Sequence, residues 1–253
     1  MIVHVPDGFI DAPVSLAAGA VAVAGVAASL RGARRELDDR TAPLAGLTAA
    51  FVFAAQMLNF PVAAGTSGHL LGGALAAILV GPYAGVLCVS VVLLLQALLF
   101  ADGGLTALGV NITLMALVTV PVGYGLFRLL LKALPASRPA AGGAAFVAAA
   151  VSVPASALAF TLIYAVGGTT DVPVGTVAAA MLGVHALIGI GEGLITAVTV
   201  SSVLAVRPDL VHGARDRLRP VPLRTGGPPA GDRSGPEPAP APAAAAEPAE
   251  GRS

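Results

Sequence analysis

Charge is nearly missing from most of this chain. Of its 253 residues, 11% are charged and 56% are apolar, whereas a water-soluble domain carries about 25% charged residues. Seven charges fall in Arg31–Arg40 and thirteen follow Val206. The stretch Thr41–Val206 holds only Asp102, Arg128, Lys132, Arg138, Asp171 and Glu192. Water cannot cover such a stretch, so it reads as a bundle of membrane-spanning helices, each needing about 20 apolar residues. The net charge is zero, which removes the electrostatic case for nucleic acid. Tryptophan is absent. The single cysteine, Cys88, lies in an apolar run, so neither a disulfide framework nor a thiolate zinc site is available. No GxxxxGK[ST] phosphate loop occurs, so the chain is not expected to hydrolyse ATP. Clustered catalytic groups are also missing, and no enzyme activity or cofactor is expected. A cleaved signal peptide would need positive charge ahead of the first apolar segment. Here Asp7 and Asp11 precede it, while Arg31, Arg34 and Arg35 follow. Those flanks favour a retained helix with its N-terminus outside.

The fold class expected is all-α, a polytopic membrane bundle of about seven helices. Charge clusters and Gly/Pro punctuation set the breaks. They place helices near Ala12–Leu30, Pro43–Val62, His69–Val80, Tyr83–Phe100, Leu105–Phe127, Ala141–Val166 and within Gly175–Val206. The third is short because Gly81-Pro82 interrupts it, and it must be shielded by its neighbours. If it crosses and the N-terminus is outside, all fourteen Lys and Arg residues fall inside, as the positive-inside rule requires. The expected topology is therefore N-out and C-in, in the cell membrane. Three parts follow: an N-terminal segment 1–11, a bundle 12–206, and a cytoplasmic tail 207–253. Beyond about Pro220 the tail is Pro/Ala/Gly-rich and cannot bury a core.

That topology puts His4 and His69 on the same outer face. Neutral imidazole suits Zn, Cu, Ni and Co. Near a chain start, the terminal amine and backbone amides can join an imidazole in one plane, a geometry that points to Ni(II) or Cu(II). The plain alternative is two polar residues at a water boundary. Around His69 the run Thr66-Ser67-Gly68-His69 reads as a ligand loop, as a helix cap, or both. Asp7 reads as a support for the site or as the cap of the first helix. Gln96 and Asn111 lie near the outer ends of their helices and could orient a ligating imidazole or bond between helices. His185 and Glu192 are seven apart on one helix face. Glu192 is the one charge deep in an expected span, which marks an ion path or a structural polar contact.

Four ordered blocks carry a family resemblance: HVPDGF (His4–Phe9), QMLNFPVAAGTSGHLLGGALAAILVGP (Gln56–Pro82), QALLFADGGLTALGVN (Gln96–Asn111) and HALIGIGEGLIT (His185–Thr196). Over about residues 4–206 the chain resembles the CbiM/NikM family, the substrate-binding subunits of energy-coupling factor transporters for cobalt and nickel. The resemblance implies seven helices. It also implies a metal site formed by the N-terminal amine, the second residue's amide and imidazole, and the histidine of GTSGHL. The two imidazoles match His4 and His69. The amine does not, because this chain begins Met1-Ile2-Val3-His4 where the family begins Met-His. Valine can be encoded by GUG, a bacterial start codon, so translation from the Val3 position would restore the amine. The expected cargo is Co(II), for cobalamin biosynthesis, or Ni(II). The expected partners are a transmembrane scaffold subunit, ATPase subunits, a small CbiN/NikN-type membrane subunit and the lipid bilayer. The competing reading is a stand-alone secondary cation transporter or channel using Glu192 and His185.

Overall fold

The computed structural model describes residues 4–39, 41–57, 60, 61 and 67–218. Seven helices run through them: α1 (Ala12–Glu36), α2 (Ala42–Gln56), α3 (Gly73–Val80), α4 (Pro82–Leu99), α5 (Leu108–Ala133), α6 (Arg138–Gly167) and α7 (Val174–Val206). Five of these, α1 and α4 to α7, are long and apolar enough to cross a membrane. A two-residue antiparallel pair, β1 (Phe60–Pro61) with β2 (Ser67–Gly68), precedes α3. Leu16, Val23, Leu47, Leu98 and Leu187 face outward, as expected of a bundle whose solvent is hydrocarbon. This is a multi-pass membrane protein.

Each helix begins and ends for a local reason. Asp11 caps α1, its Oδ1 accepting the Val14 N–H at 2.9 Å. The helix runs to Glu36, so most of the expected Arg31–Arg40 loop is its last turns. Arginine is a good helix former and complements the negative end of the helix dipole. The helix α2 ends at Gln56, short of the expected Val62, and residues 62–66 lie outside the described ones. Ser137 caps α6 through the Ala140 N–H at 3.3 Å, which brings Arg138 and Pro139 into the first turn. The helix α5 contains a π-helical turn at Thr113–Val118. It continues to Ala133, so Arg128 and Lys132 are helical rather than in a loop.

The short α3 sits at the centre, with all eight of its residues buried. Eight residues rise about 12 Å, far less than a bilayer core, so its ends must be completed by other protein groups. At its N-terminal end the left-handed Gly72 (φ +78°) turns the chain into the helix. There Glu192 of α7 accepts the N–H groups of Leu71 and Gly72 at 2.6 and 3.0 Å, and Gln56 Nε2 donates to the Leu71 carbonyl at 2.8 Å. At its C-terminal end the chain beyond α7 folds back. A short 3-10 turn (Pro208–Leu210) leads into a segment whose His212 and Gly213 N–H groups donate to Leu79 O and Ile78 O at 3.1 and 2.9 Å. Arg128 of α5 donates to the Gly213 carbonyl at 3.0 Å, and Val211 and Ala214 are fully buried. His212 is half-buried with its ring 6.1 Å from that of Tyr124.

Small residues let the outer helices close on this centre. A methyl at Gly193 of α7 would stand 2.8 Å from the Phe146 carbonyl of α6, and one at Gly189 would stand 2.5 Å from the Ala150 carbonyl. Ala150 O is also the acceptor that Pro154, four residues on, cannot serve. The α6–α7 hairpin is therefore in near-backbone contact, as small-residue packing in membranes permits.

Candidate functional site

The first described residues return to the end of the bundle where α3 begins. Val5 is held like a strand on Asn111 of α5: its N–H donates to Asn111 Oδ1 at 3.0 Å, and its carbonyl accepts Asn111 Nδ2 at 3.2 Å. The Gly104 N–H also donates to Val5 O at 3.1 Å. Two residues on, Asp7 Oδ1 accepts the backbone N–H and the hydroxyl of Thr106 at 2.8 and 2.5 Å. Those bonds hold the Asp7 carboxyl below its usual range. Asp7 thus fastens the segment to the turn before α5, and the cap of α1 is Asp11.

This seating puts His4 against His69, with ring centroids 4.7 Å apart and planes at 58°. Both residues are buried. His69 Nδ1 donates to the Leu70 carbonyl at 2.8 Å, which leaves the lone pair on Nε2. An imidazole fixed in this way by a carbonyl is the usual preparation of a metal ligand. His4 Nδ1 lies 3.3 Å from Asp102 Oδ2, at ion-pair distance but without hydrogen-bond geometry. His4 Nε2 is buried and has no hydrogen-bond partner among the described residues. A buried nitrogen left without a partner is costly, and its residue stands in the wall of a cavity of about 220 Å³. The other polar wall residues are His69, Asn111, Ser156 and His185. Phe9 and Phe160, stacked with centroids 6.0 Å apart, close one side.

The structure therefore brings His4, His69, Asn111 and His185 to one cavity, and it leaves the other candidates outside. Asn111 acts on the backbone of Val5, not on a ring nitrogen. Gln96 is fully buried in α4; its backbone carbonyl accepts the N–H groups of Phe100 and Asp102 at 3.1 Å, shaping the turn that carries Asp102. The Ser67 side chain, and all of Val3, lie outside the described residues. Glu192 is separated from the cavity. Both of its oxygens are taken by the Leu71 and Gly72 N–H groups, so it braces the loop that follows His69. His185, its expected companion on the same face, reaches the cavity instead, and its Nδ1 donates to the Met181 carbonyl at 2.8 Å.

Sequence reasoning missed Asp102, Met115 and Met181. Asp102 carried one signal, as a charge in a chain with few, placed within a motif on the outer side. The two methionines carried none.

A family profile described as the cobalt uptake substrate-specific transmembrane region, CbiM, matches residues 4–210. A protein of Haloquadratum walsbyi named for metal transport is 44% identical over 208 residues, covering 82% of this chain and 93% of that one. The cobalt transport protein CbiM of Sorangium cellulosum is 39% identical over 197 residues, covering 76% and 84%. The fused nickel transport protein NikMN of Rhodobacter capsulatus is 40% identical over 126 residues, half of this chain and 36% of that protein. Among solved structures, one of a transition metal transporter superposes with a TM-score of 0.74 at 28% identity, covering 86% of this chain and all of the other.

Proposed function

This chain belongs to the CbiM family of cobalt and nickel transport components, and we propose that it is the substrate-capture subunit of an energy-coupling factor transporter importing Co(II). The observation that carries the reading is the His4–His69 pair, with its rings 4.7 Å apart and a buried, unpartnered His4 Nε2 beside a cavity. Imidazole nitrogens are ligands for Co(II) and Ni(II) alike, and intrinsic affinity runs Co below Ni. The preference for cobalt therefore rests on the family.

In this reading the ion is cargo. It meets His4 and His69 at the extracytoplasmic face, and the segment 1–11 serves as a lid seated on Asn111, Gly104 and Thr106. The terminal amine joins the ligands if translation starts at the Val3 position. The Leu70 carbonyl holds the His69 ring, and Asp102 stands 3.3 Å from His4 Nδ1. With the N-terminus outside and the C-terminus inside, a scaffold subunit and partner ATPases reorient the loaded protein. In the same reading the segment 207–253 is on the cytoplasmic side, and its first residues pack against the C-terminal end of α3. A small NikN-type membrane subunit is the further partner, since relatives of this chain occur fused under the name NikMN. The channel alternative loses its main support, because Glu192 spends both oxygens on backbone N–H groups.

Metal analysis of the purified chain tests this. Retention of about one Co(II) or Ni(II) per chain is expected, with loss in His69→Ala. Equal retention by parent and variant, or none by the parent, rejects capture at this pair. Intact mass of the native N-terminus tests the start: a mass that includes Met1 and Ile2 rejects initiation at Val3.

A further inference from the structure

One wall of the cavity is not needed by the capture pair, and its composition is unusual for this chain. The protein has four histidines and four methionines in 253 residues, and His4, His69, His185, Met115 and Met181 all line the same cavity of about 220 Å³. His4 comes from the terminal segment and His69 from the loop before α3. The other three come from α5 and α7.

Met181 and His185 are four apart on α7, so their side chains stand one turn apart on one face. The His185 Nδ1–H is committed to the Met181 carbonyl at 2.8 Å. This leaves the Nε2 lone pair free, the same preparation that the Leu70 carbonyl gives His69. Met115 joins the same cavity from the π-helical turn Thr113–Val118 of α5. Such turns are rare and concentrate at functional sites. This one is stabilised by the Thr119 hydroxyl, which donates to the Met115 carbonyl at 2.5 Å.

We propose that Met115, Met181 and His185 form a second metal site on the α5–α7 wall, which takes a soft or borderline d-block cation through two thioether sulfurs and one imidazole nitrogen. Thioethers select softer ions than imidazole alone does, and all three donors are neutral. An ion can therefore pass between this wall and the His4–His69 pair by exchange of neutral ligands. That hand-over role rests on the capture reading, but the existence of the site does not.

The test uses the full chain in detergent, in a Cys88→Ala background that removes the one competing thiol, loaded with Ni(II) and titrated with Ag(I). Uptake of one Ag(I) per chain is expected, with sulfur neighbours in the Ag K-edge absorption spectrum. The volume-conserving Met115→Leu/Met181→Leu variant is expected to lose that equivalent. His185→Asn should weaken uptake about tenfold or more. Unchanged Ag(I) uptake in the double methionine variant overturns the site, as does absence of sulfur neighbours in the parent. The spectrum is recorded on the parent, so it tests the site even where a methionine variant fails to fold. A parent that retains no Ni(II) but takes one Ag(I) rejects the capture reading and keeps this site.

Discussion

Glu192 accepts the Leu71 N–H at 2.6 Å, across 121 residues of sequence and two positions beyond His69. The same carboxylate takes the Gly72 N–H at 3.0 Å. A charge that is costly inside the bundle is thus kept where two backbone donors at the start of α3 have no helical partner. Replacing Glu192 with Gln substitutes an amide donor for one acceptor oxygen and leaves an N–H facing an NH₂. The expected cost is about 1–3 kcal/mol of stability. A roughly 10–100-fold loss of metal affinity should accompany it, the usual effect of removing a group that supports a ligand. Thermal unfolding and equilibrium metal binding measure the two. Normal affinity in Glu192→Gln would mean that the brace does not reach His69.

Gly103 and Gly8 both have positive φ, +90° and +76°, but only Gly103 is crowded: a methyl there would lie 2.8 Å from His4 Cβ. Nothing lies within 4 Å of a methyl at Gly8. Alanine at either position strains the backbone by about 1 kcal/mol or more. Only Gly103→Ala should also push His4 away from His69, and its metal affinity is expected to fall tenfold or more. Gly8→Ala should bind within about threefold of the parent. Equal affinities for the two variants would separate the ADGG turn from the site.

The turn after α7 gives a pH dependence. Burial first, and Arg215 second, push the His212 imidazole down from 6.5 to about 4. The folded state therefore holds this ring neutral where the unfolded chain would protonate it. The stability this contributes is whole above pH 6.5 and is lost as pH falls toward 4. The ring is half-exposed, so screening keeps the effect to about 1 kcal/mol, or roughly 2–4 °C for a chain of this size. The parent's melting temperature should drop more than that of His212→Gln between pH 6.5 and 4. Parallel curves would mean that His212 plays no part in the acid sensitivity.

What the sequence made legible was local. The scarcity of charge from Thr41 to Val206 and the Gly81-Pro82 break were enough to count seven helices and to require a shielded third one. The same charge pattern predicted His4 and His69 on one face, and their rings are in contact range. Helix ends were less legible: the arginines of α1 read as a loop signal, yet they extend the helix. Glu192 was conspicuous by cost, but its partners are backbone N–H groups, which every residue except proline carries and no pattern marks. Asp102 meets His4 across 98 positions, and Met115 reaches the cavity from a π turn that has no sequence signature. Those relationships exist only once helices are packed.

The C-terminal end of α3 is completed by residues from outside the helix. A helix of eight residues has four terminal carbonyls without helical donors. Here Leu79 O and Ile78 O are served by His212 and Gly213. The donors are held by Arg128 on the Gly213 carbonyl and by burial of Val211 and Ala214. The chain after Val206 is thus part of the bundle as far as the described residues run. Ending the chain after Leu218 should leave both melting temperature and metal retention near those of the full chain. Ending it after Val206 removes two donors from buried acceptors, at about 1–3 kcal/mol each, and uncovers Phe127, which packs beside Gly213. The expected result is a fall of several degrees in melting temperature with weakened metal retention, since α3 joins this turn to the His69 loop. If the chain ending at Val206 melts like the full chain, the turn after α7 does not support α3. If it melts lower but binds metal normally, the two ends of α3 are not coupled.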